Sequence, residues 1–233
     1  MSETEREPRT LGRLIAIGDI HGCSVALKTL LDAINPQADD TIVVLGDVID
    51  RGPDSKGCVE SLIDLAGRCH LILLRGNHEE MLFNALESRS ELHGWLKFGG
   101  QQTLDSYAQG SGPEDIPSDH LRFLRSGRPY FETNQFIFVH ASYNHDMSMP
   151  DQASDAILRW ESVTPHRMRP HNSNKSVIAG HTPQRSGQPL DLGFMKVIDT
   201  DCSRGGWLSA LEVRSGKLVQ AKQTQETRCS SLK

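Results

Sequence analysis

The sequence predicts an α/β fold built on a largely parallel sheet with helices packed against it, and three observations predict it. Short apolar runs, Leu14 to Ile17, Thr41 to Leu45 and His70 to Leu74, are each followed by a stretch with helical spacing of apolar residues. Each run leads into a turn that carries glycine with charged or imidazole side chains: Gly18-Asp19-Ile20-His21-Gly22, Gly46-Asp47-Val48-Ile49-Asp50-Arg51-Gly52-Pro53 and Arg75-Gly76-Asn77-His78-Glu79. The order strand, turn, helix therefore comes three times in succession, which is the pattern of βα units.

Residues 1–10 are polar, charged and proline-bearing, too poor in apolar side chains to offset the entropy of ordering, and read as a disordered tail. After the first strand, Leu27, Leu30, Leu31 and Ile34 place a helix from Ser24. After the second, Val59, Leu62, Ile63 and Ala66 mark the buried face of a helix over Ser55 to Ala66, with Pro53 just upstream. After the third, Met81, Leu82, Ala85 and Leu86 repeat the helical spacing. From Ser90 to Arg128 the pattern becomes short amphipathic helices broken by Gly99-Gly100 and by Gly110-Ser111-Gly112-Pro113, read as a helical insertion beside the cleft.

Strand periodicity returns at Tyr130 to Glu132 and Phe136 to Val139, a hairpin around Thr133-Asn134 whose second arm ends at His140. An irregular, proline-punctuated segment with one helix at Ala153 to Arg159 follows, and it carries Arg159, Arg167, Arg169 and Lys175. Val177 to Gly180 then enters His181-Thr182-Pro183. The last runs, Lys196 to Asp199, Trp207 to Val213 and Leu218 to Gln223, read as a second sheet of antiparallel strands. Residues 11–223 are expected to form a single domain, with 224–233 a polar C-terminal tail.

A chain of 233 residues with 37% hydrophobic content is long enough to bury a full core. A formal net charge of -5 argues against a general nucleic-acid coat, which needs a basic surface. No apolar run approaches the length of a membrane span, and residues 1–9 have no hydrophobic signal core, so a soluble, cytoplasmic protein without a membrane partner is expected. Five cysteines without a Cys-x-x-Cys spacing suggest neither a disulfide framework nor a zinc knuckle.

The strand-end residues Asp19, His21, Asp47, Asn77, His140 and His181 are all hard or borderline metal ligands. In α/β folds such groups converge at the carboxyl ends of strands, and this donor mixture suits a site for two divalent ions such as manganese, iron or zinc. Asp47 is the expected bridge between them. Two such ions lower the pKa of a bridging water, so hydroxide becomes the nucleophile, and they hold phosphate oxygens in line for displacement. The leaving alkoxide then needs a proton. His78 is placed to give it, Asp50 to orient His78, and Arg51 to hold non-bridging phosphate oxygens with a bidentate fork.

Taken singly, His140 or His181 reads equally well as a hydrogen-bonded core histidine, and Asp50-Arg51 as a surface ion pair. Their order along the chain argues otherwise. The three blocks resemble the signature blocks of the phosphoprotein phosphatase family of metallophosphoesterases, and His140 and Gly180-His181-Thr182 match its later ligand positions. The size, the short His140-to-His181 connection and Trp95-Leu96-Lys97-Phe98-Gly99-Gly100 are similar to its small bacterial and phage members, typified by lambda phosphatase. The resemblance implies a βαβ sandwich of two mixed sheets flanked by helices.

It also implies that Asp19, His21 and Asp47 bind one metal, and Asp47, Asn77, His140 and His181 the other. His78 with Asp50 is then the acid pair, and Arg51 and Asn77 contact phosphate. The family's second phosphate arginine follows a tryptophan by two residues, whereas this chain reads Leu158-Arg159-Trp160-Glu161, making Arg159 the nearest candidate. The expected activity is hydrolysis of phosphoserine and phosphothreonine in protein partners, with manganese the first choice among manganese, iron, zinc, cobalt and nickel. The alternatives are hydrolysis of a phosphoanhydride, such as a diadenosine polyphosphate or a capped RNA end, and a non-catalytic scaffold. Symmetrical diadenosine tetraphosphatases typically replace the aspartate corresponding to Asp50 and carry a longer insertion before the last histidine, so both features favour a monoesterase. A scaffold would be expected to have lost His78 or a ligand, and all are present.

Overall fold

Alternation of side chains along short strands decides the layering, because successive residues face opposite sides of a sheet. The computed structural model describes residues 12–108, 110 and 112–232; residues 1–10, expected to form a tail, lie outside them. Strands β1 (Leu14–Ile17), β2 (Thr41–Val44) and β3 (His70–Leu73) are parallel neighbours. Helices α1 (Ser24–Ile34) and α2 (Ser55–Ala66) connect them, and α3 (Asn77–Glu87) follows β3. The insertion holds α4 (Arg89–Trp95), a π-helical turn (Leu96–Gly100), α5 (Gln101–Tyr107) and α6 (Ser118–Arg125).

The second half begins with the hairpin β4 (Tyr130–Glu132) and β5 (Phe136–Val139). A short helix α7 (Ile157–Trp160) precedes β6 (Ser176–Ala179), β7 (Leu190–Asp191) and β8 (Met195–Val197). The chain then returns to the first sheet as β9 (Leu208–Glu212), β10 (Lys217–Ala221) and β11 (Thr227–Ser231). The sheets run β11-β10-β9-β1-β2-β3 and β4-β5-β6-β8-β7, each mixed, as the family resemblance implied.

Two expectations are corrected. The last runs do not build a separate antiparallel sheet: β9 pairs antiparallel with β1 and extends the first sheet, while β8 pairs parallel with β6. Local pattern reports strand character but not partner choice, which is made by contacts distant in sequence. Residues 224–233 are not simply a tail either, since β11 pairs along its length with β10 from Lys217↔Ser231 to Ala221↔Thr227. Its residues are mostly exposed, so a solvated edge strand carries no apolar alternation to betray it.

One core lies between the sheets, where Leu14, Ala16, Val43, Leu45 and Ile72 meet Phe131, Phe138, Ile178 and Ile198. The alternate residues Ile15, Ile17, Ile42 and Val44 face the other way, into a core with α1, α2 and the insertion. The outer face of the second sheet buries Ile137, Val139, Val177 and Val197 against Tyr143, Met149 and Leu158. Both faces of the central strands are therefore covered, and the loops leaving their carboxyl ends remain for function. Among the described residues no helix is long and apolar enough to cross a membrane.

Candidate active site

Six parallel strands deliver the site. β1 leads to Asp19 and His21, β2 to Asp47, Asp50 and Arg51, and β3 to Asn77 and His78. From the second sheet, β5 leads to His140, β6 to His181 and β8 to Asp199. The turns are tight enough that His21, Asp47, Asp50, Arg51 and His181 adopt φ of 48°, 49°, 74°, 68° and 60°. Left-handed backbone costs a non-glycine residue roughly 1–2 kcal/mol, so the surrounding packing must hold these side chains in place. Gly46, at φ 103°, is required by space as well: a Cβ there would lie 2.6 Å from the Gly76 nitrogen and 2.9 Å from His140 Nδ1.

Glu79 is the buried brace. Its carboxylate accepts N–H bonds from Asp47 (2.9 Å), Val48 (2.8 Å) and Gly76 (2.9 Å), tying the loop after β2 to the start of α3. The Asp47 side chain completes the link by accepting from the His78 N–H at 3.1 Å. Asp19 is fixed in a similar way, with the His181 N–H shared between its two oxygens at 3.0 Å each.

The imidazoles are oriented by main-chain carbonyls. Nδ1 of His140 donates to Leu45 O (2.8 Å) and Nδ1 of His21 to Ile49 O (3.0 Å), so each Nε2 presents a lone pair to the site. His140 Nε2 and His181 Nδ1 each lie 3.1 Å from Asn77 Oδ1, while His21 Nε2 and His140 Nε2 each lie 3.5 Å from Asp47 Oδ2. Electron pairs converge on two points that share Asp47. That spacing is close to the edge of a coordination shell with metal–ligand bonds of about 2.1 Å.

Charge tells the same story. Burial, then the neighbouring Asp199 and Asp47, raises Asp19 well above the usual carboxylate range. Burial followed by Glu79 does the same to Asp47. Burial lowers His21 and His140, with His78 and His181 respectively the next cause, so the rings are neutral. Crowded carboxylates beside neutral imidazoles fit a pair of divalent cations, and the donor set is nitrogen and oxygen with no thiolate.

Beside this cluster stands a buried dyad. His78 Nδ1 and Asp50 Oδ2 are 2.6 Å apart, and Asp50 is held by Trp95 Nε1 (2.8 Å) and Thr103 Oγ1 (2.6 Å). Burial lifts the Asp50 carboxyl to about 7, against the bonds from Thr103 and Trp95 and the charge of Arg51. The exposed Arg51 spans the mouth, its Nη1 donating to His21 Nε2 (2.7 Å) and its Nη2 to His78 Nε2 (2.8 Å).

The structure thus brings Asp19, His21, Asp47, Asp50, Arg51, Asn77, His78, His140 and His181 together. Arg159, the expected second phosphate ligand, is engaged by Glu80 of α3. Its Nε donates to Glu80 Oε2 at 2.6 Å, and the same oxygen accepts from Trp160 Nε1 at 3.0 Å. The guanidinium is thus paired with the first turn of α3. Sequence reasoning missed Asp199, buried and raised to about 6 by that burial; its place at the end of a strand was the available signal. It also missed the roles of Trp95, Thr103 and Glu79, for which residue type and spacing offer no signal.

A family model described as calcineurin-like phosphoesterase matches residues 12–206. The chain is 30% identical over 209 residues to serine/threonine-protein phosphatase 1 of Salmonella typhimurium, spanning 85% of this chain and 90% of that protein. It is 25% identical over 221 residues to the asymmetrical bis(5'-nucleosyl)-tetraphosphatase PrpE of Geobacillus thermodenitrificans, spanning 84% and 88%. The fold is similar to that of a cold-active protein-tyrosine phosphatase of a Shewanella species, with a TM-score of 0.66, 16% identity, and 94% and 80% of the two chains covered.

Proposed function

The chain belongs to the calcineurin-like phosphoesterase family, and we propose that it is a phosphoprotein phosphatase hydrolysing phosphoserine and phosphothreonine monoesters. The observation that carries this reading is the Asp50–His78 dyad, 2.6 Å across and opening onto Asp47 and Arg51. An alkoxide is a strong base and needs a proton as it leaves, whereas a phosphoanhydride leaving group needs much less help. A built acid pair is therefore worth most to a monoesterase.

Asp19, His21 and Asp47 would hold one divalent cation, and Asp47, Asn77, His140 and His181 the other, with manganese the proposed metal. When bound, the cations supply Lewis-acid charge to the phosphate and lower the pKa of a water so that it can attack phosphorus. The chain's own residues do the rest. Arg51 turns its planar fork from the two imidazoles to the phosphate oxygens, which frees His78 Nε2 to face the leaving oxygen. Asp50, held by Trp95 and Thr103, stabilises the imidazolium at Nδ1 until the proton is delivered from Nε2. Asn77, with Oδ1 shared between His140 and His181, presents its side chain beside the same phosphate.

A second reading is hydrolysis of a dinucleoside polyphosphate, favoured by the tetraphosphatase similarity over 84% of the chain. The test is kcat/KM for a phosphoserine peptide and for diadenosine tetraphosphate side by side, with manganese and after chelation. Metal-dependent preference for the peptide supports the first reading, and preference for the dinucleotide replaces it with the second.

A further inference from the structure

A cavity of about 540 Å³ opens beside the catalytic cluster, and Arg51 lines it. One wall is the π-helical turn after α4, which presents Lys97 and Phe98; the turn after β8 adds Arg204. Lys97 and Arg204 are exposed, and among the described residues neither side chain has a hydrogen-bond or ion-pair partner. The charge of Arg204 is felt by buried Asp199, but no carboxylate comes within ion-pair distance of it among those residues. Together with Arg51, which is bonded to the His21 and His78 rings but to no carboxylate among the described residues, Lys97 and Arg204 place three cations around one mouth of a chain whose net charge is -5. This local reversal of sign selects for anions.

The wall is also joined to the catalytic arginine. Gly99 sits at φ 112°, where the helix kinks, and its carbonyl accepts the Arg51 N–H at 3.2 Å. A Cβ on Gly99 would lie 2.5 Å from the Arg51 nitrogen, so the close approach requires glycine. What occupies the cavity therefore lies against the residue that holds the phosphate.

We infer that the cleft between Lys97 and Arg204 is a subsite for a second anionic group on the substrate, an acidic or phosphorylated side chain flanking the phosphorylated residue. This rests on the phosphoprotein reading above. An extended peptide advances about 3.3 Å per residue, so a flanking side chain reaches the cavity while the phosphate stays on Arg51. Phe98, 58% exposed, offers apolar contact to the same peptide. Lys97 and Arg204 determine specificity; they take no part in the chemical step.

The experiment compares two phosphoserine peptides that differ only in flanking residues, Asp and Glu in one, Asn and Gln in the other. The wild type, Lys97→Gln, Arg204→Gln, the double variant and Arg204→Glu are assayed at low and high salt. The expected wild-type ratio of kcat/KM is about 10-fold in favour of the acidic peptide, carried by KM, and it shrinks at high salt. Each single variant lowers the ratio several-fold, the double variant brings it near one, and Arg204→Glu inverts it. Affinity of the dephosphorylated acidic peptide, read by fluorescence anisotropy, follows the same order. A wild-type ratio near one, or variants that slow both peptides equally, overturns the subsite while leaving the phosphoprotein reading in place. Turnover of diadenosine tetraphosphate with neither peptide accepted overturns both.

Discussion

His78 Nδ1 lies 2.6 Å from Asp50 Oδ2 in a pair from which solvent is excluded on both sides. Burial pulls the imidazole down and pushes the carboxyl up to about 7, so the two groups compete for one proton. The Nε2 edge of the ring, 4.0 Å from Asp47 Oδ2, faces the ligand cluster. That edge accepts from Arg51 Nη2 at 2.8 Å, and the ring proton lies at Nδ1 toward Asp50.

Replacing His78 by Asn should lower kcat on a phosphoserine peptide by about 100-fold or more, the scale of lost acid catalysis. An activated aryl phosphate, whose leaving group departs as a weak base, should lose far less. Steady-state kinetics on both substrates checks this, and equal losses would remove His78 from the role of acid.

Asp47 Oδ2 is 3.5 Å from the Nε2 atoms of both His21 and His140. Asp47→Asn should therefore weaken both metal equivalents together. Metal content after dialysis against graded manganese reads the outcome; loss of one equivalent with the other intact would argue against a bridge.

Glu79 accepts three buried main-chain N–H groups. Glu79→Ala leaves them without their acceptor, at about 1–3 kcal/mol each, and relaxes the left-handed turn at Asp47. A loss of about 3 kcal/mol or more in denaturant unfolding is expected. A variant as stable as the wild type would show that the brace is dispensable.

Asp40 supplies a pH prediction away from the site. Burial alone would raise its pKa, but bonds from Arg13 and from the Gln37 N–H more than offset this and lower it. A carboxyl whose folded pKa is depressed stabilises the fold above its unfolded pKa of about 3.9, and that stability is lost as pH falls through the folded value. Asp40→Asn should thus cost about 2 kcal/mol at pH 7, and the gap to wild type should begin to narrow below about pH 4 and close only below the depressed folded pKa. Urea unfolding at pH 7 and pH 3.5 measures it, and a gap independent of pH would contradict the assignment.

Much of this molecule is legible in its sequence. The helix over Ser55–Ala66 and the strand over Leu14–Ile17 coincide with the periodicity of their apolar residues, because burial on one face is written directly into spacing. The strand-end residues Asp19, His21, Asp47, Asn77, His140 and His181 stand out in the sequence as candidate ligands because each follows an apolar run, and parallel strands bring such turns to one edge. Chemistry that depends on residue type at a strand end is local information.

The rest was decided by tertiary contacts. Partner choice sent β9 to β1 and β10 to β11, which no local pattern records. Trp95 reaches Asp50 across 45 positions, and Glu80 captures Arg159 across 79, turning an expected phosphate ligand into a structural ion pair. Lys97 and Arg204, more than a hundred residues apart in the chain, line one cavity with Arg51. The sequence by itself determined which groups could do the chemistry, because valence and charge belong to the residue. Only the folded chain decided which of them meet, because hydrogen-bond direction and charge pairing depend on distances that sequence spacing does not contain.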